Sequence, residues 1–128
     1  MLDRDSRTVS EWIEAHKLPG DTLFVWGYRP DVFAYTRMPT AGLFWDSQPL
    51  TGVPADRHLS ESTSLIPEWA ANNRGDLVGS HPTFVVDGLS RLNPKLAIEQ
   101  YPELLEWLRQ YEIVRETSLS VIYHRVDH

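Results

Sequence analysis

Thr22-Leu23-Phe24-Val25-Trp26-Gly27 is the stretch on which the fold turns. Four consecutive apolar side chains, Leu23 to Trp26, leave no polar face. A strand of that kind is covered on both sides, the habit of a central parallel strand. Gly27 ends it, and Pro30 suits the first turn of a helix that carries Val32, Phe33 and Tyr35 until Pro39 stops it. Upstream, Val9, Trp12, Ile13 and His16 recur at i, i+3, i+4 and i+7, one face of a helix from about Ser6 to His16. Leu18-Pro19-Gly20-Asp21 then reads as a stop and turn.

Downstream the alternation continues. Ala41 to Trp45 is expected as a second strand, and Asp46 to Arg57, with Pro49, Gly52 and Pro54, as a long surface loop. Ser60 is placed to cap a helix carrying Leu65, Ile66, Trp69 and Ala70 as far as Asn73-Arg74-Gly75, with an earlier break or a kink at Pro67. Thr83 to Asp87 is the third strand, and Pro102 opens a helix with Leu104, Leu105 and Leu108 along one stripe. Tyr111 to Glu116 and Leu119 to Val126 form a hairpin around Thr117-Ser118. Strands alternating with helices predict an α/β fold. The expectation is a small doubly wound three-layer sandwich, its mostly parallel sheet in the order 2-1-3-4-5, closed by a C-terminal antiparallel hairpin. Phe24, Val25, Phe84, Val85 and Val86 are its predicted core.

At 128 residues, 41% hydrophobic and 23% charged, residues 1–128 form one ordinary globular domain. Twelve basic against eighteen acidic side chains give −6, which removes the electrostatic footprint that nucleic acid requires. No stretch approaches the ~20 apolar residues of a membrane span. Cysteine is absent, and with it thiolate metal sites and thiol nucleophiles.

Open α/β sheets bind ligands outside the carboxyl ends of their strands at the switch point, here between the first and third strands. That places a candidate ligand site around Tyr28, Arg29, Asp46, Asp87 and Arg91. The arginines would offer planar donors to a sugar hydroxyl or phosphate oxygen, and Tyr28 an amphipathic wall. The same residues also fit a closed crevice in which Arg29 and Arg91 merely pair with Asp87 and Asp46. No catalytic residue, metal site or cofactor is expected. The chain lacks G-x-G-x-x-G, P-loop, H-E-x-x-H and G-x-S-x-G spacings, and Asp56-Arg57-His58 has no partner at metal-ligand spacing. Asp3-Arg4-Asp5 matches a D-x-D pattern but falls in a terminus expected to fray. Of the tryptophans, Trp12, Trp69 and Trp107 are expected in the core or at its rim.

Leu23-Phe24-Val25-Trp26-Gly27-Tyr28-Arg29-Pro30-Asp31-Val32-Phe33-Ala34-Tyr35 resembles the strand, "WG" and "P-x-x-Y" passage of many bacterial polytopic glycosyltransferases. These are similar to protein O-mannosyltransferases and aminoarabinose transferases. Ser6 to Asp21, His81 to Asp87, Tyr101 to Leu108, Tyr111 to Val114 and Val121 to Arg125 also resemble, in order, parts of the family's soluble carboxyl-terminal tail. The resemblance implies a non-catalytic accessory domain excised from a larger enzyme that uses lipid-linked sugar donors, with Met1 an artificial start. It implies an extracytoplasmic location, tethered to the membrane, and the membrane module of the same polypeptide as partner, with a glycan or acceptor as a further one. The family's catalytic carboxylates lie on a loop that nothing here matches. Two other classes stay open: a stand-alone α/β enzyme or ligand-binding protein using the strand-end crevice, and an interaction module that pairs through its hairpin edge.

Overall fold

The computed structural model describes residues 2–41, 44, 46–53, 64 and 67–126. Leu23 to Trp26 form β1 (Leu23–Trp26), and all four residues are buried. Beside it runs β2 (Phe84–Asp87), parallel, with Leu23 opposite Phe84 and Trp26 opposite Asp87. The chain closes with β3 (Tyr111–Glu116) and β4 (Val121–Arg125), an antiparallel pair. β4 also pairs antiparallel with β2, Asp87 opposite Val121.

Among the described residues the sheet therefore has four strands in the order β1-β2-β4-β3, with one parallel pair. This overturns the expected doubly wound, mostly parallel sheet in the order 2-1-3-4-5, for two reasons. The run Ala41 to Trp45 supplies no ladder among the described residues. Thr40 makes a single parallel bridge to Leu23 and Ala41 is a bend, while Gly42, Leu43 and Trp45 lie outside the described residues. The hairpin also enters with its second strand innermost. Ile122 and Tyr123 point to opposite faces of β4 and both are buried, as an interior strand requires. β3 carries exposed Glu112, Arg115 and Glu116 and takes the edge, where such charges deter further pairing.

Among the described residues β1 is thus an edge strand rather than a central one. It is buried because the chain beyond Thr36 folds back along it. The Leu23 N–H donates to the Pro39 carbonyl at 2.9 Å, and the Ser47 N–H to the Gly27 carbonyl at 3.2 Å.

Alternation along the strands divides the core in two. Leu23, Val25, Phe84, Val86 and Ile122 face α1 (Leu2–His16) and α2 (Pro30–Thr36), which contribute Val9, Ile13 and Val32. Phe24, Trp26, Val85 and Tyr123 face the opposite side. There α3 (Gln48–Thr51), α4 (Pro67–Val78) and α5 (Pro102–Trp107) bring Leu50, Leu77, Leu104 and Trp107. Proline opens α2 and α5, where its missing N–H has no partner to lose. The described part of α4 begins at Pro67; Ser60, Leu65 and Ile66, expected in the same helix, lie outside the described residues, as does Asp56-Arg57-His58. Part of the expected surface loop is helical, as α3. Trp107 is buried and Trp12 partly so, but Trp69 stands 48% exposed on α4, not in the core.

Candidate functional site

At the carboxyl ends of β1 and β2 the two backbones run very close. Gly27 has φ +123°, a conformation open to glycine, and a Cβ there would lie 3.4 Å from the Gly88 carbonyl carbon. The Gly27 N–H is held by Ser47 Oγ at 3.0 Å, and the Gly88 N–H by the Trp26 carbonyl at 2.8 Å. Arg29 turns back over this junction. A Cβ on Gly88 would sit 2.9 Å from Arg29 Nε, so glycine at 88 makes room for the guanidinium.

Arg29 is 4% exposed, and so is its partner, Asp5 of α1. Arg29 Nη1 donates to Asp5 Oδ2 at 2.5 Å, and Nη2 donates to the carbonyls of Gly88 at 3.1 Å and Leu119 at 3.5 Å. The carboxylate collects the hairpin turn as well. Asp5 Oδ1 accepts from Thr117 Oγ1 at 2.6 Å and from the Leu119 N–H at 3.2 Å, while Oδ2 accepts from Ser120 Oγ. A buried charge pair is best tolerated when its remaining polar atoms also find partners, and here both Asp5 oxygens and Arg29 Nη2 do. Burial pushes the Asp5 carboxyl up, but the hydrogen bonds from Arg29, Ser120 and Thr117 together outweigh it. The group ends below the ordinary carboxylate value of 3.8.

The five residues expected to line a ligand crevice are arranged otherwise. Arg29 is in the ion pair with Asp5, not with Asp87. Asp87, 2% exposed, folds its own loop: Oδ1 accepts from the Leu89 and Ser90 N–H groups at 3.1 and 3.0 Å, and Oδ2 from Ser90 Oγ. Arg91 reaches the hairpin, where it pairs with Glu116 at 2.6 Å and bonds the Thr117 carbonyl, instead of pairing with Asp46. Asp46 Oδ1 accepts from the Gln48 N–H at 2.8 Å ahead of α3, and Tyr28 is 53% exposed. Arg29 bonds the carbonyl of Gly88, the residue after Asp87, but the two charged groups belong to separate hydrogen-bond networks.

Sequence reasoning missed Asp5, Thr117 and Ser120. The terminus expected to fray is instead helical from Leu2. A signal for Asp5 was present, because Asp5, Val9 and Ile13 stand four apart on the stripe that α1 buries. An acid on that stripe needs a cation, and Arg29 sits among apolar residues. Thr117 and Ser120 gave no sequence signal beyond a turn.

Among the described residues, no group of three His, Cys, Asp or Glu side chains could hold a metal ion. No protein-family model matches the chain, no curated protein matches it, and no solved structure matches its fold.

Proposed function

We propose that this chain is a non-catalytic accessory domain of a membrane-bound glycosyltransferase using lipid-linked sugar donors. It would sit on the extracytoplasmic side, with the membrane module of the same polypeptide as its partner and a glycan or acceptor as a second one. The observation that carries the non-catalytic part is the Asp5–Arg29 pair. Where the sequence suggested a ligand crevice, at the carboxyl ends of β1 and β2, Arg29 is instead buried against Asp5, and the pair holds α1, the β1 and β2 ends and the hairpin turn together. The chemistry-bearing residues at that position serve rigidity. The glycosyltransferase part rests on the resemblance of the Leu23 to Tyr35 passage and of the segments that follow it in order.

Pairing through the hairpin edge is less well supported. β3 bears exposed Glu112, Arg115 and Glu116, and its register shifts between Ile113 and Arg115, two features that protect an edge from further strands. Among the described residues no helix is long and apolar enough to cross a membrane, so tethering requires spans elsewhere in the polypeptide.

The test is the gene. A reading frame continuing upstream of the Met1 codon into several hydrophobic spans supports the proposal. The full-length protein lacking residues 1–128 should then assemble or turn over poorly while its membrane module keeps the catalytic carboxylates. A frame that opens at Met1 with no spans on either side would overturn the reading.

A further inference from the structure

On the α1 side of the hairpin lies a cavity of about 320 Å³ whose lining includes Arg4, Thr8, Arg115 and Ser118. That volume is at the small end of the range for small-molecule sites. Two acids also border it, but each already has its own cation: Asp5 is paired with Arg29, and Glu116 with Arg91. Arg4 and Arg115 make no ion pair or side-chain hydrogen bond with any other described residue. In a chain of net charge −6, two uncommitted guanidinium groups share one concavity.

A backbone irregularity puts Arg115 there. Along β3, Tyr111 belongs to the α4–α5 side of the core and Ile113 pairs with Tyr123 of that side, whereas Val114 packs against the α1 side. Strict alternation would return Arg115 to the α4–α5 side. The register shift between Ile113 and Arg115 instead sets Arg115 opposite Ile122, a residue of the α1 side. A bulge of this kind re-aims a side chain, and here it aims a cation at the first turns of α1, where Arg4 and Thr8 stand.

We propose that this cavity is an oxyanion site that takes the phosphate group of a small phosphorylated ligand. The Arg4 and Arg115 guanidiniums would donate paired hydrogen bonds to the phosphate oxygens, and the Ser118 hydroxyl a further one. The phosphate could be that of a soluble phosphomonoester or of a lipid headgroup, and the site's chemistry is the same for both. The proposal is independent of the glycosyltransferase reading, since it concerns only side chains in this domain.

The experiment is a titration of the 15N-labelled chain with inorganic phosphate, glycerol 3-phosphate and, separately, phosphatidylglycerol vesicles. Saturable shifts or broadening confined to Arg4, Thr8 and residues 115–118 are expected. Arg4→Gln and Arg115→Gln should each weaken binding about tenfold, the loss of one charge-assisted contact. Both side chains are exposed, so both variants should keep the parent's melting temperature. Arg109→Gln, which removes an exposed cation from the other end of the hairpin, should leave binding unchanged. A response to the soluble anions identifies a free ligand, and one to vesicles alone a headgroup; each supports the site. Absence of saturation with all three probes, or equal loss in Arg109→Gln, would overturn it.

Discussion

A methyl group on Gly88 would stand 2.9 Å from Arg29 Nε, closer than side-chain carbons approach, and the buried Arg29 could give way only by disturbing its bonds to Asp5 and the Gly88 carbonyl. Gly88→Ala should therefore destabilise the fold by about 1–3 kcal/mol, the usual cost of overpacking, read as a lower midpoint in urea unfolding. Asp5→Ala is the harsher change, because it leaves a buried guanidinium without its counter-charge, at about 3–5 kcal/mol. Replacing both partners, as Asp5→Leu with Arg29→Met, should cost less than the two single changes added together. The same pair gives stability a pH dependence of known sign. The folded Asp5 carboxyl lies below its unfolded value of 3.8, so its contribution is complete above that value. It is lost progressively as the pH falls below 3.8 and through the lower folded value. Glu103, held low against its own burial by Arg74, adds a loss of the same sign. Unfolding midpoints at pH 7 and pH 3 should converge for wild type and Asp5→Asn; a constant gap between them would refute the linkage.

At the scale of elements, burial and pairing turn out to be separate questions. The apolar run Leu23 to Trp26 announces that both faces of a strand are covered, and they are. It says nothing about how many ladder neighbours the strand has. An irregular segment covers the outer edge of β1 as well as a strand would, through Pro39, Thr40 and Ser47. That is why an apolar run such as Ala41 to Trp45 does not by itself announce a strand: a segment that covers an edge is apolar for the same reason that a strand is. The order within the hairpin was legible in its residues. Glu112, Arg115 and Glu116 mark an edge, while Val121-Ile122-Tyr123 offers apolar groups to both faces. Asp5 was legible through its four-residue spacing to Val9; its bonds to Thr117 and Ser120 span more than a hundred positions and leave no local trace. Ser47 tests the covering segment. It is 1% exposed and its hydroxyl accepts from the Gly27 N–H. Ser47→Ala should leave that buried donor unpaired and cost about 1–3 kcal/mol. In the same variant, amide exchange should quicken at Gly27 and Leu23 ahead of β2, and uniform loss of protection would argue against a locally held edge.

Over the whole molecule, two cores lie on opposite faces of a sheet four strands wide among the described residues, and each could in principle open alone. The architecture argues against that. The same strands serve both faces, Val25 and Val86 one side and Phe24 and Val85 the other, so no face can separate without disturbing backbone that the second face needs. The Asp5 cluster adds a bond across the chain's full length, from the first turns of α1 to the turn before β4. A single cooperative transition is therefore expected, as for most domains of this size. It can be followed in a background with Trp12, Trp45 and Trp69 each changed to Phe, where the buried indoles of Trp26 and Trp107 report the α4–α5 face. Exchange at Val9 and Ile13 reports the α1 face. In urea the two signals should share one midpoint. Asp5→Ala should lower that midpoint without splitting it, because Val9, Ile13 and Val32 still bind the α1–α2 layer to the sheet through buried apolar surface. If α1 instead loses protection at a urea concentration where the indoles stay buried, the polar cluster alone holds that layer in place, and α1 is a detachable element with a stability of its own.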